Sequence, residues 1–146
     1  MQSLTEILFL ESTEITDIID ITNSVKKKLS KSKIKNGIVN IFTKHTTTSI
    51  RINENEKGLI SDIKCYFNKL VPISGQYCHD EIDDRKDTPI DEPENAHSHI
   101  KQLMMGTSET IPFQNNNMML GTWQRILFID FDGPRKREVV IQIIGE

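Results

Sequence analysis

Apolar positions along this chain alternate between a period of two and a period of three to four, and the switches mark its elements. Thr5 to Glu11 is predicted as a short strand; Ile7, Leu8, Phe9 and Leu10 run without a polar break, which implies cover on both faces. From Thr16 an acidic first turn leads into Ile18, Ile21, Val25 and Leu29, spaced as one helical stripe. Asn36-Gly37 predicts a turn, Ile38 to Phe42 a buried strand ending at Thr43-Lys44-His45, and Ser49 to Asn53 a second extended stretch. Leu59, Ile60, Ile63, Phe67 and Leu70 repeat the helical spacing, and that helix must end before Val71-Pro72.

Gly75 to Glu94, rich in Asp and Glu and holding Pro89 and Pro93, reads as a long loop. Ala96 to Met105 is a predicted helix closed by Gly106, and Glu109 to Phe113 resumes an extended path. Asn115-Asn116-Asn117 is a turn. Met118 to Leu120, Trp123 to Phe131 and Glu138 to Ile144 then supply strands, with Gly133-Pro134 breaking between the last two. Strands and helices mix without regular βαβ alternation, so the expected fold class is α+β: largely antiparallel packed sheets with two to three helices, in one domain over residues 1–146.

Composition narrows the function classes. With 21 acidic and 18 basic residues the chain lacks the footprint of a nucleic-acid binder. The lysines between Lys26 and Lys35 read as the solvated end of a helix and its loop. Two cysteines without CxxC spacing suggest a reduced, cytoplasmic protein. No stretch has the length of a membrane span or the form of a signal peptide, so no membrane partner is expected.

Candidate chemistry starts with His45, His79, His97 and His99, contributed by three chain segments. Imidazoles are common zinc ligands, and three of them leave a coordination position open; hydrogen-bonded or surface histidines are the alternative. His97 and His99 share a face in a strand but sit about 200° apart in a helix, where only one could join a common site. Thr46 and Thr47 could offer hydroxyls to phosphate oxygens, or be ordinary strand residues. Glu54 could orient a histidine or act as a base, although Asn55 as a helix cap explains part of that string. Trp123 and Gln124 could stack on and hydrogen-bond a flat ring, or belong to the core. Asp130, Asp132, Arg135 and Arg137 bring carboxylates and guanidinium forks together at a turn, fit for phosphate and Mg²⁺ or for a surface salt-bridge cluster.

Read together, HTTTSIRINEN (His45 to Asn55), HSHIKQLMMGTSETIPF (His97 to Phe113), LGTWQRILFIDFDGPRKREVVIQIIGE (Leu120 to Glu146) and the Val71-Pro72 pair resemble the YjbQ-like family. This family is also described as secondary thiamine-phosphate synthases. The resemblance implies a homotrimer and a metal site at His45, His79 and His99, with His97 secondary. It also puts Glu54, Gln124, Asp130, Arg135 and Arg137 on recurrent family positions. The segment between His79 and His99 is longer than in compact members, and Asp130 stands where many members carry glutamate.

Two functions follow as expectations. One is a transferase joining a phosphorylated thiazole to a pyrimidine diphosphate, with Glu54, Asp130, Arg135 and Arg137 catalytic and Thr46, Thr47, Trp123 and Gln124 binding substrate. Zinc at the histidines and Mg²⁺ carried by the diphosphate would serve as cofactors. The other is a histidine-site metal-binding homotrimer acting as a metal-assisted hydrolase.

Overall fold

The computed structural model describes residues 1–82, 89 and 91–146. Its elements are β1 (Gln2–Glu11), β2 (Asp17–Asp20), α1 (Thr22–Ser32), β3 (Gly37–Thr43), β4 (Thr48–Asn53), α2 (Lys57–Leu70), a 3-10 turn (Cys78–Asp80), α3 (Ala96–Met105), β5 (Ser108–Gln114), β6 (Asn117–Met118), β7 (Arg125–Asp130) and β8 (Lys136–Gly145). Strands pair antiparallel throughout, in a five-stranded sheet β1-β8-β3-β5-β6 and a three-stranded sheet β2-β7-β4. The fold is α+β, as the sequence pattern implies. Part of the loop expected over Gly75 to Glu94 lies outside the described residues.

The core forms between the inner faces of the two sheets. Val39, Ile41, Ile111, Phe113, Val139, Ile141 and Ile143 line it from the larger sheet, and Ile50, Ile126 and Phe128 from the smaller one. Val25 and Leu29 of α1 complete it, packed where that helix meets β1, β6, β7 and β8. Gly37 is required where β3 meets β8, because an added Cβ would come within 2.0 Å of the Ile144 carbonyl oxygen. Asn115 and Asn116 both adopt left-handed φ, the geometry of a two-residue hairpin turn between β5 and β6.

Several expectations need correction. Asp17–Asp20 is strand rather than helix, because Ile18 and Ile19 pair with Ile129 and Phe128 of β7. The helix starts at Thr22, whose amide and hydroxyl both donate to Asp20 Oδ1. β1 is an edge strand covered on one face only: Leu4, Leu8 and Leu10 pack on the core while Phe9 is 73% exposed. β7 starts at Arg125, leaving Trp123 and Gln124 in the turn before it. α2 ends where Pro72 requires, but Glu56 caps it, accepting from the Gly58 and Leu59 amides, and Asn55 does not.

Candidate functional site

The β3–β8 ladder ends at the pair Thr43–Val139, and the next amide of β8, that of Glu138, donates to His45 Nε2 at 3.1 Å. The imidazole thus takes a place that a backbone carbonyl would fill. Nε2 is then the acceptor and the proton sits on Nδ1. Burial, and next the Arg137 charge, hold His45 below the ordinary imidazole range. The following turn is closed by a Thr43–Thr48 hydroxyl contact and by the Thr48 amide donating to the His45 carbonyl.

Thr47 is buried; its hydroxyl accepts from Arg137 Nη2 at 3.1 Å and its carbonyl accepts from the Phe131 amide. Arg137 is itself only 7% exposed and makes a two-pronged bond to the sealed Asp130 carboxylate, Nε to Oδ2 at 2.7 Å and Nη2 to Oδ1 at 2.8 Å. Asp130 also accepts from the Ser12 hydroxyl and the Asp132 amide. Arg135 is exposed and pairs with Asp132 at 3.1 Å. Both guanidinium groups expected to grip phosphate are therefore already matched by carboxylates, and Asp130 has no solvent-facing surface from which to touch a substrate.

α3 begins beside this pair. The Ala96 amide donates to Asp80 Oδ1 at 3.0 Å, and Asn95 Nδ2 donates to Asp132 at 2.9 Å. Because residues 97 and 99 lie on a helix, their rings diverge, as the geometric argument requires. His97 turns inward against the Ser98 hydroxyl. His99 turns toward His79, the ring centroids 4.9 Å apart and tilted by 43°. Carboxylates flank the pair, with Asp80 3.3 Å from His79 Nδ1 and Glu92 4.0 Å from Nε2. Burial, followed by the neighbouring His79, holds His99 below the ordinary imidazole range, partly countered by Asp132 and by a hydrogen bond to the Thr46 backbone.

Two of the three histidines expected to share a metal, His79 and His99, are brought together, and His99 also bonds the backbone of Thr46, the residue after His45. His45 feels the charges of Arg137, Asp130, Lys44 and Glu138, and His99 those of His79, Asp132 and Glu92. Among the described residues no three His, Cys, Asp or Glu side chains gather as a metal-binding group. Among the described residues, His45, His79 and His99 therefore do not form such a group within one chain.

Glu54, Trp123 and Gln124 lie elsewhere. β4 pairs with β7 from Thr48–Asp130 at one end to Asn53–Arg125 at the other, so these three residues sit about 17 Å along the strands from Asp130. Trp123 is 72% exposed, and Gln124 accepts from the Gly121 amide through its side chain.

The structure adds residues that the motif reading passed over: Ser12, Asp80, Glu92, Asn95 and Lys101. Lys101 is the one with a local signal. It follows His97 by four positions, on the same helix face, and is fully buried, donating to Asn68 Oδ1 at 3.0 Å.

A sequence profile of the UPF0047 protein YjbQ-like family matches residues 6–146. The chain belongs to this family. A UPF0047 protein of Methanothermobacter thermautotrophicus is 40% identical over 100% of this chain and 95% of its own length. UPF0047 protein YugU of Bacillus subtilis is 32% identical over 94% of this chain and 97% of its own. Among solved structures, a YbjQ-like protein of unknown function from Sulfolobus solfataricus superposes with a TM-score of 0.89 at 32% identity, covering 99% of both chains. A YjbQ/UPF0047-family protein of Clostridium acetobutylicum gives 0.84 at 38% identity, over 95% of this chain and 99% of its own. YjbQ-like membership thus covers the fold and the histidine-bearing segments alike. No helix among the described residues is long and apolar enough to cross a membrane.

Proposed function

We propose that this YjbQ-like chain binds a small phosphorylated substrate beside His79 and His99 and moves a proton there. The reaction we assign is the one its sequence resemblance implies, the union of a phosphorylated thiazole with a pyrimidine diphosphate. The observation that carries the reading is the imidazole pair, 4.9 Å apart, with carboxylates on either side of His79. Two titratable rings in unequal surroundings can divide donor and acceptor roles. Burial biases His99 toward the neutral ring, which accepts a hydrogen bond and so orients its neighbour.

In this reaction the thiazole nitrogen bonds to the methylene carbon of the pyrimidine as the carbon–oxygen bond to the diphosphate breaks. The bonding pair leaves with pyrophosphate, and an imidazolium can protonate the oxygen so released. The test is thiamine phosphate formation from the two precursors and Mg²⁺. Wild-type turnover is expected, with a loss of about 10²-fold or more in His99→Gln while its thermal melt stays unchanged. Absence of product from the folded wild type would sink the transferase reading.

We also propose that copies associate, as the homotrimer of the resemblance. The supporting observation is α3, which buries His97, Ser98 and Lys101 while leaving Ile100, Met104 and the 82%-exposed Leu103 on its outer face. An isolated chain has the opposite preference.

A further inference from the structure

The cleft at the end of the larger sheet is a separate feature, of about 540 Å³, lined by Phe9, Leu10, Glu11, His45, Lys136, Arg137 and Glu138. None of His79, His99 or Asp80 borders it. Its floor is built from the β1–β8 ladder, where Phe9 faces Glu138 and Glu11 faces Lys136 across the strands.

Two hydrogen-bond donors of the lining have no protein acceptor among the described residues. His45 spends Nε2 on the Glu138 amide, so its Nδ1–H is left over. Arg137 faces the core side of β8 with Leu10, away from Phe9, Glu11, Lys136 and Glu138, and spends its guanidinium on Asp130, Thr47 and the Asp132 carbonyl. Lys136 is exposed and makes no ion pair among the described residues. Beside these donors stands the Phe9 ring, 73% exposed on an otherwise half-covered strand.

Charge decides what such a cleft accepts. Asp130 neutralises Arg137 and Lys44 neutralises Glu138, so the remaining charges are the Lys136 ammonium and the Glu11 carboxylate. A multiply charged anion would be opposed by Glu11, whereas one carboxylate suits the donors. An aromatic ring suits Phe9, against which it gains through offset or edge contact. We propose that this cleft is a binding site for a small aromatic carboxylate, its oxygens taken by His45 and Lys136 and its ring laid on Phe9. The site goes beyond the histidine-pair reading and does not depend on it.

The test is a titration of the full chain with benzoate, followed by amide and imidazole NMR. Benzoate is expected to shift the Glu138 amide and the His45 ring and to saturate at millimolar concentration. Acetate, which lacks the ring, and benzamide, which lacks the charge, should bind about tenfold more weakly or worse. Phe9→Ala and Lys136→Ala replace exposed side chains, so both variants should fold, and each should weaken benzoate by about five- to tenfold. His79→Gln should change nothing in this titration. Failure of benzoate to shift either reporter would overturn the proposal, as would acetate binding equally well or full affinity in Phe9→Ala.

Discussion

Without the Arg137 guanidinium, the Asp130 carboxylate would remain sealed from water with only the Ser12 hydroxyl and the Asp132 amide to hold its charge. Breaking a buried ion pair from one side typically costs about 3–5 kcal/mol. Arg137→Ala should therefore show that loss in urea denaturation, before any effect on turnover can be read. Asp130→Asn in the same chain should return part of it, because the uncompensated charge disappears.

The histidines make a second residue-level prediction. Burial lowers the proton affinity of His45, His97 and His99 in the folded chain. Their stabilising contribution is whole above the unfolded imidazole value of about 6.5 and is lost as the pH falls through the lower folded values. Tm should drop between about pH 7.5 and pH 5, and His97→Gln, which removes the most enclosed ring, should flatten that slope in thermal melts.

At the scale of elements, α3 has its faces reversed. Lys101 lies inside with one amide oxygen as partner, and burial pushes its ammonium below the ordinary lysine range. Lys101→Met keeps the stem and removes the buried charge. A Tm higher by about 2–5 °C is expected, and an unchanged or lower Tm would mean that the ammonium has a role that the Asn68 bond does not describe.

The elements were legible in the sequence wherever their cause is local. α3 ends at Gly106 as expected, because that residue holds φ of +89° against the Arg51 side chain. α2 stops before Pro72 for an equally local reason. Asp17–Asp20 was not legible, since Ile18, Ile21, Val25 and Leu29 satisfy helical spacing and only the distant edge of β7 draws the first of them into a sheet. The site divides in the same way. The helical divergence of His97 and His99 follows from spacing alone, but the capture of the His45 ring by the Glu138 amide joins residues 93 positions apart. Glu54, Trp123 and Gln124 are near Thr46 and Asp130 in sequence, yet the length of β4 and β7 carries them to the far end of the sheet.

For the whole molecule, the outer face of α3 and the distance between the two ends of the smaller sheet bear on assembly. If copies associate through α3, Leu103→Asp should lower the mass measured by light scattering to that of one chain without lowering helix content. A wild-type mass of one chain would remove the assembly altogether.

β8 lies between β1 and β3, with its pairing to β1 running from Gln2–Gly145 to Glu11–Lys136. On the ribosome this central strand emerges after the β1 and β3 strands that flank it, so the larger sheet cannot close until synthesis has passed it. Until then the inner faces of β1 and β3 have no shared neighbour, and the open strand edges are available to other chains. Pairings of such long sequence separation are also slow to form once the chain is free. The vulnerable period for this protein is therefore its birth, and a chaperone that shields β1 and β3 during translation would raise its yield more than one acting on the finished chain.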